Sequence, residues 1–160
     1  MLYFAAMFRI TFLIFFFITS FAFSQEKNKD FFLDVNYFYG TILRHNKDIS
    51  HLVKNHPDGF IIGFNRKTYG TEGWQQEYNY PDWGFSFVNQ NPHYNVLGKN
   101  YGLYGHFNFY LLRRNLFFRI GQGIAYNTNP FDLENNFKNN AYGSHFLSST
   151  YLMLNYTKQH

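Results

Sequence analysis

Residues 116–156 read LFFRIGQGIAYNTNPFDLENNFKNNAYGSHFLSSTYLMLNY, and this stretch decides the fold. Bulky apolar residues alternate with small or polar ones over residues 118–125 and again over residues 146–156. Alternation with a period of two is typical of a β-strand that has one apolar and one polar face. The residues between, 127–143, are polar and rich in asparagine, so the stretch predicts two strands joined by a long loop.

The same alternation predicts four earlier strands, which makes six in all, at 31–43, 59–65 with an extension toward 69, 83–88, 101–111, 118–125 and 146–156. Residues 70–81 are predicted to form a turn flanked by strand ends, because glycines and a proline interrupt their rhythm. The first, third and fifth connections are long, and the fourth is the three-residue turn Arg113-Arg114-Asn115. Bacterial outer-membrane barrels place short turns in the periplasm and long loops outside, which matches this order.

The composition favours strands that face lipid. Aromatic residues make up 24% of the 160 residues, with 22 Phe and 14 Tyr, whereas only 15% are charged. A soluble core uses mainly Leu, Ile and Val, but aromatic side chains spread over short strands suit the outer surface of a membrane barrel. The part of the chain after residue 24 has no apolar run of helix-spanning length, so a membrane protein of this sequence is predicted to be a β-barrel.

The first 24 residues predict export. Arg9 gives a small positive region, residues 10–23 are almost entirely apolar, and small residues precede a cleavage point before Gln25. These are the three parts of a secretory signal peptide, and the apolar run is too short to span a membrane as a helix. We therefore expect a signal peptide at 1–24 and a single domain at 25–160.

Charge and cysteine content exclude several classes of function. The net charge is +4 and the isoelectric point about 9.2, yet no run or stripe of Lys and Arg predicts a nucleic-acid partner. The absence of cysteine excludes a disulfide framework, a thiol nucleophile and a lipoprotein anchor. The segment Gly121-Gln122-Gly123 lies inside a predicted strand and therefore is not a phosphate-binding loop.

Candidate hydrolytic residues are Ser144, His145, Ser148 and Ser149, with Glu134 in the preceding loop. A serine hydrolase needs a base within hydrogen-bond reach of its hydroxyl and an acid that orients the base. Adjacent strand residues point to opposite faces, and His145 and Ser149 are about 13 Å apart along a strand. We therefore interpret these residues as a polar junction between loop and strand rather than as a triad.

Histidines in the first long loop raise the possibility of a metal site. His51 and His56 have a spacing that some zinc sites use, and His45 is nearby, but no further ligand pair completes a set of four. His106 is predicted to lie on an interior face as a hydrogen-bonded histidine, with proton handling as the alternative. Asp132, Glu134 and the neighbouring asparagines carry the oxygen ligands that calcium prefers, but their spacing matches no EF-hand loop. The sequence thus predicts neither a metal nor another cofactor.

Six strands are too few to close a barrel, since single-chain bacterial barrels begin at about eight. An open sheet in lipid leaves unpaired backbone groups along two edges, and each costs several kcal/mol. We therefore expect two further strands beyond His160, so that residues 25–160 form an incomplete barrel domain.

Several motifs together resemble the lipid A 3-O-deacylase (PagL-like) family, particularly the Bacteroidetes versions labelled acyloxyacyl hydrolases. The resemblance extends from about residue 31 to residue 156. It rests on FRIGQGIAY at 118–126, GSHFLSS at 143–149, YFYG at 37–40, NRKTYG at 65–70 and YGLY at 101–104.

The resemblance implies an eight-stranded outer-membrane barrel that removes an ester-linked acyl chain from lipid A without a cofactor. It also implies a catalytic His-x-Ser motif on the strand after residues 146–156, followed by an acidic residue near or on the last strand. Neither is found in the 160 residues, so no catalytic residue is assigned, and His145 is not a substitute. The chain is then the N-terminal portion of an ester hydrolase, inactive as this fragment, whose partners are lipopolysaccharide acyl chains and the outer membrane.

Two alternatives remain open at this point. One is a small non-enzymatic outer-membrane barrel of structural or adhesive type, in which the long loops carry the function. The other is a soluble lipid-carrier barrel in the periplasm. The oligomeric state is not specified by the sequence.

Overall fold

A computed structural model describes residues 30–43 and 47–156. The predicted signal peptide lies outside these residues. Six β-strands account for most of the described chain: β1 (Phe31–Tyr39), β2 (Asp58–Arg66), β3 (Asp82–Asn91), β4 (Asn100–Leu111), β5 (Leu116–Asn127) and β6 (Phe146–Tyr156). All six strands match the predicted ones, and β6 has the predicted bounds. No helix in the described part of the chain is long and apolar enough to cross a membrane.

Two short helices were not predicted. A 3-10 helix (Lys47–Leu52) interrupts the first long loop, and one α-helical turn, α1 (Gly73–Glu77), lies in the second connection. The predicted turn at 70–81 flanked by strand ends is therefore wrong. Trp74 and Tyr78 are four residues apart, which places them on one side of a helical turn. They pack edge-on against Phe107 and Phe109 at ring-centroid distances of 6.3 and 6.5 Å.

Pairing extends β3 beyond its predicted end. Residues 89–91 belong to the strand, because Asn91 lies opposite Asp58 and Asn89 opposite Phe60 on β2. Asparagine clusters usually mark a turn, and the prediction ended the strand there for that reason. The first strand is shorter than predicted, because β1 ends at Tyr39, four residues before the predicted end.

The sheet is a continuous antiparallel meander in the order β1-β2-β3-β4-β5-β6. Each strand pairs with its neighbours in sequence, and the four-residue turn after β4 brings Leu111 opposite Leu116. That turn has positive φ angles at Leu112, Arg113 and Arg114. Within the described residues β1 pairs only with β2, and β6 only with β5, so one edge of each strand is unpaired.

Contacts across one face show that the sheet is strongly curved. In a flat sheet β1 and β5 would lie about 19 Å apart, since neighbouring strands are about 4.8 Å apart. Yet Arg119 on β5 reaches Asp34 on β1 with a nitrogen-oxygen distance of 2.7 Å. Asn155 on β6 also donates to Asn36 on β1 at 3.3 Å. The face that carries these residues is therefore the inside of a curved wall.

Burial in this wall is the reverse of that in a soluble domain. Most fully buried side chains are polar, namely Arg119, Asn65, Asn108, Asn127, Asn139 and Asp82. Large apolar side chains project from the outer face instead, for example Leu103 at 70% and Ile124 at 62% exposure. An apolar outer face and a polar interior are the arrangement of a transmembrane β-barrel.

Candidate functional site

A polar network fills the space enclosed by the curved sheet, with Arg119 at its centre. The guanidinium of Arg119 is fully buried and donates to Asp34 through both terminal nitrogens, at 3.1 and 2.7 Å. It also donates to Asn108 at 2.6 Å and to Asn65 at 3.0 Å. Each of these side chains points to the inner face of the sheet, so the network connects β1, β2, β4 and β5. A buried charge is tolerable here because it is both paired and hydrogen-bonded.

The same interior contains a serine, a histidine and an asparagine that are hydrogen-bonded in series, as the three residues of a hydrolase triad are. His106 Nδ1 lies 3.2 Å from Ser86 Oγ, and its Nε2 lies 2.8 Å from Asn65 Oδ1. The hydroxyl of Tyr151 is 2.6 Å from Ser86 Oγ on the other side. Ser86 and His106 are only 3% and 2% exposed. An ester must come within about 3 Å of a nucleophile, and neighbouring side chains occupy that space, so this group has a structural role.

Sequence reasoning placed His106 correctly as a hydrogen-bonded interior histidine, and the structure confirms it. It did not identify Ser86 or Asn65 as the partners of His106. On each of their strands these three residues occupy the alternate positions that carry polar side chains, and the sequence does show this alternation. Which inward residues meet depends on strand register and on the curvature of the sheet, and these are set by the whole fold.

The candidate residues around β6 do not form a triad. Ser144 donates to the carbonyl oxygen of Phe146 at 2.6 Å, and His145 Nδ1 lies 2.8 Å from the carbonyl oxygen of Asn127. Ser149 points inward and accepts from Tyr104 at 3.0 Å, whereas Ser148 points outward. Glu134 lies in the fifth connection, where its backbone N–H donates to Asp132.

The histidines of the first long loop bond to backbone carbonyls and not to one another: His51 to one in the fifth connection, and His56 to one in its own connection. His51 Nε2 lies 2.8 Å from the carbonyl oxygen of Lys138, and His56 Nδ1 lies 3.0 Å from that of Gly40. His45 lies outside the described residues. Across residues 30–43 and 47–156, no group of three or more His, Asp or Glu side chains is placed to hold a metal ion.

The three long loops lie at one end of the sheet and hold one another in place. Asn136, buried in the fifth connection, donates to the carbonyl oxygens of Val96 at 3.0 Å and Asn129 at 2.8 Å. Asn140 donates to the carbonyl oxygen of Asp48 in the first connection at 3.0 Å. The asparagines of the predicted long polar loop thus link separate stretches of backbone, because a side-chain amide can donate and accept at once.

The carboxylate of Asp132 organises the tip of the fifth connection. It accepts from the backbone N–H groups of Asn135 at 2.7 Å and Glu134 at 3.0 Å. These two hydrogen bonds lower the pKa of Asp132 below its usual range, the bond from Asn135 more than that from Glu134. Hydrogen bonds to a charged carboxylate stabilise that form, so the arrangement is a local turn rather than a metal site.

The lowered pKa of Asp132 predicts that the stability of the fifth connection depends on pH. A depressed pKa means that the turn is fully stabilised above the ordinary pKa of an aspartate, about 4, and loses this stabilisation as the pH falls through the lowered value. We expect faster amide hydrogen exchange in residues 128–145 at pH 2.5 than at pH 7, after correction for intrinsic rates. Asp132→Asn, which keeps an acceptor oxygen without a charge, should remove the pH dependence. An equal pH response in the variant would contradict this assignment.

The outward face of the sheet is apolar, as is the surface of a transmembrane barrel that meets lipid. Aromatic and aliphatic side chains make up most of this face, and several are stacked across neighbouring strands, such as Phe31 on Phe64 at 5.3 Å and Phe87 on Tyr101 at 6.4 Å. Between β2 and β6 this face has an apolar groove of about 950 Å³. A ligand of this sheet is expected at the outward face, because the polar network fills the interior.

Comparison with known proteins is consistent with this architecture. A sequence model described as lipid A 3-O-deacylase (PagL) matches residues 58–160, from the first residue of β2 onward. Strand β1 and the first long loop lie outside the match, although the resemblance had been expected from about residue 31. No curated protein and no solved structure matches the chain. Because the match covers more than half of the sequence, the chain belongs to the lipid A 3-O-deacylase (PagL) family, whose members are outer-membrane β-barrels that act on lipid A.

Proposed function

We propose that this chain is the larger part of an outer-membrane hydrolase that removes an ester-linked acyl chain from lipid A, with catalytic residues supplied by strands other than β1–β6. The observation that carries the proposal is the family match over residues 58–160. The apolar outer wall supports it, because such a wall lies beside the acyl chains of the substrate.

Four serine and histidine side chains that could act in hydrolysis already have hydrogen-bond partners, which supports a catalytic site formed by other strands. Ser86 and His106 are buried in the interior network, and Ser144 and His145 are bonded to backbone carbonyls. Among the described residues one edge of β6 has no partner strand, so its backbone groups can pair with a further strand. The family resemblance implies a His-x-Ser motif on the strand that would pair there.

The proposed reaction is ester hydrolysis in two steps. The serine oxygen attacks the acyl carbonyl carbon while the histidine takes the hydroxyl proton, and the sugar oxygen then leaves with that proton. Water attacks the resulting acyl-serine ester, again losing a proton to the histidine, and releases the fatty acid with regeneration of the serine. The reaction needs only the ester and water, so it requires no oxidant, metal or nucleotide. In the 160 residues alone we expect no such activity.

The quickest test is to translate the DNA directly downstream of the His160 codon. A His-x-Ser motif within about thirty residues, followed by an acidic residue on a further strand, is the expected result, since one added hairpin has about that length. An in-frame stop codon directly after His160 would contradict the proposal for this gene.

The non-enzymatic barrel is the alternative to which the interlocked outer loops give some support, because an adhesive protein needs ordered loops. Recovery of the expressed protein in the soluble periplasm would contradict both membrane proposals and favour a lipid carrier.

A further inference from the structure

A cleft of about 480 Å³ lies at the end of the sheet opposite to the long loops. It is enclosed by the start of β1, the end of β2, helix α1 and the start of β3. Charged and aromatic side chains are prominent in its lining, namely Asp30, Arg66, Lys67, Glu72, Trp74 and Trp83. We call it the turn-end cleft, and its volume is in the range of sites that hold small molecules.

The position of the turn-end cleft is that of a membrane–water interface. Both tryptophans of the chain line it. Tryptophan is enriched where a barrel passes from hydrocarbon to water, because its ring is apolar and its N–H is polar. Bacterial barrels place their short turns in the periplasm, so this end of the sheet meets the inner leaflet of the outer membrane. That leaflet consists of phospholipids, whereas lipid A belongs to the outer leaflet.

Arg66 is the one basic residue on the outward face of the six described strands. It is paired with Phe31 on β1 and with Trp83 on β3, and its guanidinium lies 5.9 and 5.7 Å from the centroids of these two rings. Among the described residues no carboxylate forms an ion pair with Arg66. Its side-chain N–H donors are therefore available to an anion at the interface.

Carboxylates line the same cleft without neutralising its cations. The side chain of Glu72 has no hydrogen-bond or ion-pair partner within residues 30–43 and 47–156. Arg66 and Glu72 do not pair with each other, so their charged atoms are more than 4.0 Å apart. With Lys67 and Asp30 the lining carries two positive and two negative charges. A ligand with both a phosphate and an ammonium group complements this lining, whereas a purely anionic ligand is repelled by the carboxylates.

A buried amide supplies a further donor to the cleft. Gln75 lines the cleft and is only 8% exposed. Its side-chain oxygen accepts from the backbone N–H groups of Gly70 at 2.8 Å and Thr71 at 3.1 Å. These two bonds fix the orientation of the amide and leave Nε2 without an acceptor in the described part of the chain. A phosphate oxygen in the cleft provides the acceptor that this nearly buried donor lacks.

We propose that the turn-end cleft binds the head group of phosphatidylethanolamine from the inner leaflet. The phosphate accepts hydrogen bonds from Arg66 and Gln75, and the primary ammonium group donates to Glu72. Phosphatidylglycerol has the phosphate but no ammonium group, and phosphatidylcholine has a quaternary ammonium group without N–H donors. The proposal requires the membrane barrel but not the hydrolase activity proposed above.

The test is native mass spectrometry of the full-length gene product, delipidated in detergent and titrated with three phospholipids. Phosphatidylethanolamine, phosphatidylglycerol and phosphatidylcholine are used with identical acyl chains, so only the head group differs. The variants are Arg66→Gln and Glu72→Lys. The controls are Arg113→Gln, a cation in the β4–β5 turn, and Glu77→Gln, a carboxylate on α1. Both control residues lie at the same end of the sheet, and neither lines the cleft.

The wild-type protein should bind phosphatidylethanolamine about three- to fivefold more tightly than either other lipid, the factor that one partly exposed ion pair supplies. Arg66→Gln should weaken the binding of all three lipids, because all three carry the phosphate. Glu72→Lys should reverse the order and make phosphatidylglycerol the tightest ligand. Both control variants should behave as wild type. Heat-modifiable migration in gel electrophoresis checks that each variant is folded.

Equal binding of the three lipids by the wild type, or an unchanged order in folded Glu72→Lys, would overturn the site. Tightest binding of phosphatidylglycerol by the wild type would overturn the assignment to a zwitterionic head group. Equal losses in the cleft and control variants would also overturn the site, since they indicate a general charge effect. Failure of the proposed function gives a different pattern, namely selective binding of phosphatidylethanolamine together with intact lipid A.

Discussion

Replacing Arg119 with methionine is expected to lower the free energy of unfolding by about 3–5 kcal/mol, the cost of leaving one partner of a buried ion pair alone. The variant strips Asp34 of both its hydrogen bonds from the guanidinium and leaves acceptor oxygens of Asn65 and Asn108 without the donor they now share. Methionine fills most of the volume, so the loss measures charge and hydrogen bonding more than cavity formation. Urea unfolding in detergent micelles, followed by tryptophan fluorescence, gives the value.

The paired variant Arg119→Met with Asp34→Leu provides the control. Removal of both charges should restore part of the lost stability, because no carboxylate then lies unpaired in the interior. Asp34→Leu alone should be destabilising for the opposite reason. If the double variant were as unstable as the sum of the two single variants, the ion pair would not be coupled and the central role of Arg119 would be wrong.

Gly123→Ala is expected to destabilise the sheet by about 3 kcal/mol, at the upper end of the usual cost of overpacking. A Cβ at this inward position would overlap the carbonyl oxygen of Leu103 on the adjacent strand and lie 2.7 Å from the Cα of Tyr104. Both are backbone atoms, so β4 and β5 would have to separate. The measurement is again urea unfolding in micelles.

Gly105→Ala is the matched control for this prediction. Gly105 lies on β4, one strand away, and faces outward with nothing within 4 Å of a built Cβ. The same added methyl group should change the free energy of unfolding by less than about 0.5 kcal/mol. Similar losses in the two variants would show that intrinsic strand preference, and not the close approach of backbones at Gly123, decides the effect.

The strands were predictable because each carries its own signal. Alternation in β4 and β6 is strong enough to give their bounds to within one residue, and Arg113-Arg114-Asn115 marks the turn between β4 and β5. The apolar outer face could also be predicted, since it follows from the alternation of apolar and polar residues along each strand. Helix α1 was missed because Trp74 and Tyr78 have an even spacing that fits a strand as well as a helical turn.

The arrangement of the interior depends on information that a single strand does not contain. Asn65, Ser86 and His106 meet only because three strands pair in a given register and the sheet curves. Gln122 was considered only as part of a glycine motif, although its outward parity placed a polar side chain among apolar neighbours. In the structure the side chain of Gln122 is hydrogen-bonded to Ser148 and Thr150 on β6, and these partners depend on the register of the two strands.

The mass of lipid A in cells that express this protein tests the account most directly. Lipid A is extracted from a Gram-negative host that makes either the full-length gene product or residues 1–160 alone, and its mass spectrum is compared with that of the host. We predict that the full-length product removes one ester-linked acyl chain, seen as the loss of one fatty acid residue in mass, and that residues 1–160 leave lipid A unchanged. Unchanged lipid A with a folded full-length protein in the outer membrane, or deacylation by residues 1–160, would contradict the account.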